Sequence, residues 1–524
     1  MVEKVVEDAR RNIQGVEIVE TPYVEKGYHF TLEVTKGTLL KAVQFFDERA
    51  FFLEDLCCVD HVEYLELVYF FNNYQYLCRA KVTLKVAPSE PVAPTISHVY
   101  DSAYFYEREI HEFFGVMFEN HPNMTYLFLH EGIEAYPLRK GNVPVPEADK
   151  KLLASFKPKE EEDSFFVNMG PQHPSTHGVL RIVLKMDGEY IQSAQPVLGY
   201  LHRMHEKMAE NRGYLQFLPN TGRMDYMSAM SFNLGYVTAV EKLCGIPVPP
   251  RAEFVRTITT ELSRISSHFL WLGAYLADLG GLTPFLYVFD DREHILDALE
   301  SVTGSRLTFC YFRFGGLYND IDETFIGLTK AFVKRMWSRF KTYENLITGN
   351  VIFVNRTKGL GILEEATARK YGVSGPVIRG TGIAFDLRKR EPFAAYRDMD
   401  FRIPTGTRGD VLDRYMVRMQ EMETSLRIIE QALAKMPDGP FRTEKVPKKL
   451  KPPKGDLYHA TESPRGLLGI YIVSDGSNTP YRMRWRVPSF SNLMSFPYLS
   501  RGTLIADAVS ILGSLDLVIP EMDR

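Results

Sequence analysis

Hydrophobic positions along the chain fall into two regimes. Over residues 28–34 (YHFTLEV), 62–70 and 75–86 apolar and polar residues alternate as on half-buried strands. Between the first two runs Leu39, Leu40, Val43 and Phe46 recur at helical spacing behind Thr38, a candidate N-cap. These patterns predict a small α/β domain that closes with HVYDSAYFYEREIHEFFGVMF and the tight segment AYPLRKG. Long amphipathic segments come later, at roughly 199–217, 251–279, 288–303, 322–346 and 409–436. In the last, Leu412, Tyr415, Met419, Met422, Leu426, Ile429 and Leu433 alternate steps of three and four, the spacing of one buried helical seam. Core packing accounts for its methionines without invoking a cofactor. Strand runs flank Asp187-Gly188, a hairpin-turn dipeptide, and Asp475-Gly476 lies between LLGIYIVS and YRMRWRV, so β elements should frame the helical middle.

Between the two regimes, residues 141–163 (GNVPVPEADKKLLASFKPKEEED) are charged and proline-bearing, with little apolar periodicity, which reads as an exposed linker. The expected organisation is a first domain over residues 1–142, a linker over 143–163 and a second domain over 164–524. Its class is α+β, a small α/β domain followed by a helix bundle with peripheral β-hairpins. A chain of 524 residues can bury more than one core, and 45% hydrophobic with 24% charged residues excludes disordered and fibrous classes. The net charge of −4 offers no electrostatic footprint for nucleic acid. Cys57, Cys58, Cys78, Cys244 and Cys310 form no C-x-x-C pair, so neither a disulfide framework nor a four-thiolate cluster is indicated, and a reducing compartment is expected. MVEKVVEDARRN lacks the apolar core of a signal peptide, which predicts a cytoplasmic chain. The most apolar long stretch, Phe269 to Phe289, contains Asp278 and several glycines and falls short of an unbroken span of about 20 apolar residues. It predicts a buried helix, so work at a membrane would need other chains to hold this one there.

Few residues announce chemistry by themselves. His173 and His177 lie in MGPQHPSTHG, a loop without the acidic or thiol company of a metal site. His202 and His205, three apart in LHRMHEKMAE, make a polar helix face with Arg203 and Glu206 but no further ligand pattern. Asp278, in an apolar helix, needs a cationic or hydrogen-bonding partner because desolvating an isolated charge is costly; a structural bond and a site role are both open. Tyr226, in TGRMDYMS, is one of 28 tyrosines and takes weight only from its context. The phosphate-loop, dinucleotide and nucleophile-elbow motifs are absent from the sequence.

Two ordered sets of motifs, however, resemble a known family. YEREIHEFFGVMF, HP and PLRKG over 106–141 resemble the small hydrophilic subunit of respiratory complex I that docks beside the quinone-site subunit. NMGPQHPSTHGVLR, GYLHRMHEKMAE, LPNTGRMDY, PPRAEFVRTITTELSRISSH, RGTGIAFDLRK, FRIPTGTRGDVLDRYMVRMQEMETSLRIIEQ and PEMDR then resemble, in unbroken order, the large quinone-site subunit. From about residue 100 the resemblance covers nearly the whole chain. It implies a fused C/D-type subunit of a proton-translocating NADH:quinone oxidoreductase, with a hydrogenase-large-subunit-like second domain. Quinone would be the substrate, bound by His177 and Tyr226, with Asp278 as partner of the histidine. A quinone needs one donor near each of its two carbonyl oxygens, and tyrosine and histidine can both hydrogen-bond and supply protons. The chain itself would bind no metal or cluster; electrons would come from a [4Fe–4S] cluster in an adjacent subunit, near Arg203. The implied partners are the iron–sulfur subunits of a peripheral arm and a membrane subunit that completes the quinone tunnel. The implied location is peripheral, on the cytoplasmic side of a bacterial inner membrane.

Some positions depart from the family. Glycine usually follows the H-R pair, where this chain has Met204 and His205. Some members carry a histidine two residues after an arginine, where Arg306 is followed by Leu307 and Thr308, and Gly141 replaces the acid that usually ends PLRKD. The related nickel–iron hydrogenases are the competing enzyme class. Their metal-binding C-x-x-C pairs fall on Asp225 with Ser228 and on Val518 with Glu521, none of them cysteine, and valine offers no ligand. A related complex fed by ferredoxin, formate or an F420-type donor also stays open, as does a scaffold with a vestigial pocket. Metal analysis of the purified chain should find neither nickel nor iron, and stoichiometric nickel would restore the hydrogenase reading.

Overall fold

The computed structural model describes residues 1–130, 132–154, 165–172 and 179–524. An N-terminal sheet domain precedes a helical domain with small peripheral sheets. The sheet contains β1 (Glu17–Glu20), β2 (Phe30–Val34), β3 (Phe51–Asp60), β4 (Leu65–Asn73) and β5 (Ala80–Val86), in the order β1-β2-β5-β4-β3. Within it only the β2–β5 pair is parallel, and helix α1 (Lys36–Glu48) lies in the crossover. This helix begins three residues before its expected start. Thr35 is its cap, and the Thr38 hydroxyl accepts the Thr35 N–H at 2.9 Å, one half of a capping box. Strands β3 and β4 are not half-buried: nearly every residue on both faces is covered. Helix α2 (Ala103–Phe114), which carries the YEREIHEFF motif, is buried along almost its whole length.

Within the stretch read as a linker, Glu147–Ala154 is helical; residues 155–164 lie outside the described residues. The helical domain opens with an antiparallel meander of β6 (Phe165–Met169), β7 (Arg181–Asp187) and β8 (Tyr190–Val197). Asp187 pairs with Tyr190, so the turn is Gly188-Glu189, with Gly188 at φ 57°. The single helix expected over 199–217 is two: α3 (His205–Glu210) and α4 (Tyr214–Met224). Helix α5 (Ala229–Cys244) leads to α6 (Pro250–Asp278), the central rod, which starts with proline where a missing N–H costs nothing. Packed on it are α7 (Leu282–Thr303) and α9 (Val411–Lys435), with α8 (Glu323–Tyr343) alongside α7. The apolar run from Phe269 to Phe289 is therefore a helical hairpin, α6 and α7 joined through Gly280 and Gly281, rather than one helix. Among the described residues no helix is long and apolar enough to cross a membrane.

A last meander, β9 (Gly455–Ser463), β10 (Gly466–Ser474) and β11 (Arg482–Arg486), lies between the two domains. Its connection at Asp475-Gly476 is longer than a two-residue turn, because Val473 pairs with Arg482. Arg482, Arg484 and Arg486 on β11 are all buried. Arg484 meets Asp55 of β3 at 3.0 Å and Glu206 of α3 at 3.3 Å, and also pairs with Glu109 of α2. Arg482 donates to Glu206 at 2.7 Å and to the Cys58 carbonyl at 3.0 Å. Nearby, Arg79 bridges Glu54 at 3.0 Å and Glu391 at 2.8 Å, while Asp456 meets Lys81 at 2.7 Å and Lys26 at 3.1 Å. The contacts of Arg484 with Asp55 and Glu109, of Arg482 with Cys58, of Arg79 with Glu391 and of Asp456 with both lysines tie one domain to the other. Removing one partner of a buried pair strands the other charge, so Arg484→Met should lower the unfolding free energy of the chain by about 3–5 kcal/mol in urea titrations. Acid should loosen the same interface. Burial alone would raise Glu206 and Asp456, but the facing guanidiniums and ammoniums outweigh it and hold both below the carboxylate range. Their stabilisation is full above about pH 4 and should be lost as pH falls through the lowered folded-state values, visible as a falling urea midpoint.

Candidate functional site

After α4 ends at Met224 the chain turns through Asp225, Tyr226, Met227 and Ser228 before α5 begins. Asp225 builds this turn: one carboxylate oxygen accepts the backbone N–H of Met227 at 3.1 Å and of Ser228 at 3.0 Å. Its other oxygen accepts from Arg465 Nη1 at 2.7 Å. Arg465 Nη2 donates to Ser267 Oγ on α6 at 3.0 Å and lies 3.4 Å from Met227 Sδ. On its third side Arg465 Nε faces Asp516 at 3.6 Å and Glu521 at 3.9 Å. Arg418 of α9 faces Asp516 at 3.7 Å. All of these charged groups are buried. Three carboxylates thus face two guanidiniums, too few to hold every acid ionised. Burial, with the Asp225 charge adding, pushes Glu521 up to about 8 against the pull of Arg465, and burial pushes Asp225 up as well.

Tyr226 is half-buried on this rigid turn, and among the described residues its hydroxyl has no hydrogen-bond partner. Burial raises its pKa, the Arg465 charge opposes the rise and the Asp225 charge adds to it. Of the four positions read above against the hydrogenase cysteines, Asp225 and Glu521 face this arginine. Asp225 and Ser228 form the turn, Glu521 accepts the Ser489 N–H at 2.9 Å, and the Val518 N–H reaches Ser489 Oγ at 3.2 Å. Among the described residues no three His, Cys, Asp or Glu side chains are disposed to bind a metal ion.

The other expected site residues lie around this centre in different ways. His177, like His173, lies outside the described residues. Asp278 does not interrupt an apolar helix; it ends α6 and is half-buried there, at the unfavourable negative end of the helix dipole. Ser267, which touches Arg465, is eleven residues earlier on the same helix, so Asp278 is ~16 Å along the axis from Ser267. Just beyond Asp278 a cleft of about 350 Å³ opens, lined by Leu279, Leu282, Ile347, Ile352 and Phe353.

Arg203 is exposed, in the loop before α3. His202 and His205 do not share a helix face, since the helix starts only at His205. The His202 ring clusters with Phe113 and Phe128, at 5.5 and 5.3 Å, and its Nδ1 meets the Asp523 carbonyl at 2.6 Å. Glu112 of α2 fixes this stack by accepting the Leu127 N–H at 2.9 Å and the Phe128 N–H at 3.0 Å. Met204 is left-handed at φ 52°, which explains the family's glycine: a side chain there costs about 1–2 kcal/mol. Thr308 is likewise left-handed, at φ 49°.

Sequence reasoning missed Arg465 and Asp516. An arginine between Pro464 and Gly466 in a two-residue connection reads as an exposed turn, and the contrary signal is the apolar run from Leu467 to Val473 that follows it.

Comparison with known proteins gives the same assignment for both parts of the chain. The family described as "Respiratory-chain NADH dehydrogenase, 30 Kd subunit" matches residues 32–147, and "Respiratory-chain NADH dehydrogenase, 49 Kd subunit" matches 278–451 and 442–524. The D-type NADH-quinone oxidoreductase subunit of Syntrophobacter fumaroxidans is 60% identical over 363 residues, covering 69% of this chain and 97% of the relative. The second C/D-type NADH-quinone oxidoreductase subunit of Aquifex aeolicus is 39% identical over 570 residues, covering 96% of this chain and 97% of the relative. With the small-subunit motif on α2, the large-subunit motifs around Arg465 and similarity running through nearly the whole of each relative, the chain belongs to the family of fused C/D-type subunits of NADH-quinone oxidoreductase, respiratory complex I.

Proposed function

We propose that the second domain, residues 164–524, forms the quinone-reducing pocket of a proton-translocating complex, and that the first, residues 1–142, is its docking scaffold. The observation that carries this reading is Tyr226, a half-buried hydroxyl with no protein partner among the described residues, presented on a turn locked by Asp225. A quinone carbonyl is an acceptor that such a hydroxyl can bind and later protonate. His177 would serve the second carbonyl, oriented or charged by Asp278. NADH-derived electrons would arrive from a [4Fe–4S] cluster in an adjacent subunit, beside Arg203, whose exposure leaves its charge available to a partner. A nearby guanidinium favours the reduced, more negative cluster.

The surface beyond Asp278 supports docking of a membrane subunit at the cytoplasmic face of a bacterial inner membrane. Leu282 and Ile352 are 65% and 71% exposed beside the cleft, and Leu286 and Val351 extend the apolar patch.

Tyr226→Phe removes one hydroxyl and keeps the ring. The assembled complex should retain NADH oxidation with artificial acceptors while quinone turnover falls about tenfold or more. His177→Ala and Asp278→Asn should give overlapping, non-additive losses, as residues acting as a unit do. Near-normal turnover of assembled Tyr226→Phe complex with both ubiquinone and menaquinone analogues would leave Tyr226 as a core residue and remove the proposed site.

A further inference from the structure

A hairpin tip ordinarily lies at the surface, because its backbone polar groups need water. The tip joining β9 to β10 does the opposite, and Arg465 at that tip is fully buried. The backbone is clamped there at contact distance. A Cβ at Gly375 would come within 2.2 Å of the Arg465 carbonyl oxygen, and one at Gly466 within 2.4 Å of Ser374 Oγ, so only glycine fits at either place. Ser374 Oγ also accepts the Leu467 N–H at 3.1 Å, and Asn492 donates to the Arg465 carbonyl at 3.3 Å. The guanidinium is therefore delivered to the Tyr226 turn with little freedom of its own.

We propose that Arg465 is a positioning residue for Tyr226: it fixes the turn through Asp225 and Met227, and its charge stabilises the phenolate left when Tyr226 gives its proton to quinone. The inference rests on the role proposed above for Tyr226. In that step NADH-derived electrons, relayed by the partner iron–sulfur chain, reduce the quinone by two electrons. The Tyr226 O–H bond breaks as an O–H bond forms on one quinone oxygen, and a second proton donor of the pocket completes the other hydroxyl. The phenolate is then reprotonated from solvent. A half-buried phenolate is costly without a cation nearby, and arginine supplies one that does not deprotonate. The groups facing that cation are Asp225 from the turn, Ser267 from α6, and Asp516 and Glu521 from the C-terminal segment. The Asp225 contact also explains why the arginine must be held so tightly: the carboxylate that caps the turn is buried and would drift or protonate without it.

The test uses the intact membrane-bound complex, with ferricyanide reduction as the measure of assembly and electron entry. Arg465→Met combined with Asp225→Asn removes both charges while the asparagine oxygen keeps the turn's caps. Quinone kcat should fall about tenfold or more with apparent KM changed less than about threefold, because a group acting on the proton-transfer step leaves ground-state binding alone. Arg465→Lys keeps the charge without the fork and should lie between wild type and the paired variant. In a Tyr226→Phe background the paired change should cost less than about twofold further, since the phenolate no longer forms. An unchanged kcat in the assembled paired variant, or a full multiplicative loss on top of Tyr226→Phe, overturns the role of Arg465. If the paired variant does not assemble, Arg465→Lys decides alone, and unaltered kcat in assembled Arg465→Lys complex overturns the role. Near-normal turnover of Tyr226→Phe itself would instead defeat the reading of the tyrosine, whatever the Arg465 variants do.

Discussion

Taking a guanidinium out of water is unfavourable unless carboxylates meet it in good geometry, and β11 takes three of them out of water between the domains. Because Arg484 must satisfy Asp55, Glu109 and Glu206 together, it fixes β3, α2 and α3 with respect to one another. Glu206 lies three residues past Arg203, and Glu109 also holds Arg524 beside the ring of Phe128. The placement of the loop that carries Arg203, and of the segment that carries Asp516 and Glu521, thus follows from charge pairing made on a strand remote in sequence.

The helical core uses the same device a second time. Along α6, Glu261 meets Arg388 at 3.1 Å, and His268 meets Glu421 at 3.1 Å. Arg379 joins Glu421 to Glu462 on β9, with 2.7 and 2.8 Å bonds, so that the last meander is pinned to the bundle at the strand whose far end turns at Arg465. Apolar packing alone would leave sliding of that meander cheap; directional pairs make it costly.

How much of this could be read in the sequence depended on which neighbour set each pattern. The seam from Leu412 to Leu433 reported its own helix, because its packing on α6 imposes the period, but the burial of Arg414, Arg418 and Glu421 on other faces left no trace in that pattern. YRMRWRV was legible as a strand, but nothing local records that the other domain's carboxylates cover its arginines. The run from Phe269 to Phe289 hid a turn because both arms are apolar, and Asp278, which seemed to interrupt a helix, marks its end. Tyr226 acquired weight from ordered motifs, not from periodicity. Arg465 stayed invisible because a hairpin tip aimed inward is specified by glycines at Gly375 and Gly466 that are far apart in sequence.

Pairing across the domain boundary also bears on biosynthesis. In Syntrophobacter fumaroxidans the D-type chain corresponds to 69% of this one, so its counterpart of β11 is made without the carboxylates of a tethered first domain. Here Asp55 and Glu109 are translated ahead of Arg484 on the same chain, and the tether keeps them near one another at an effective concentration on the order of millimolar. Every copy leaves the ribosome carrying both sides of the interface, and meeting its counter-charges does not depend on how much of a second gene product the cell has made.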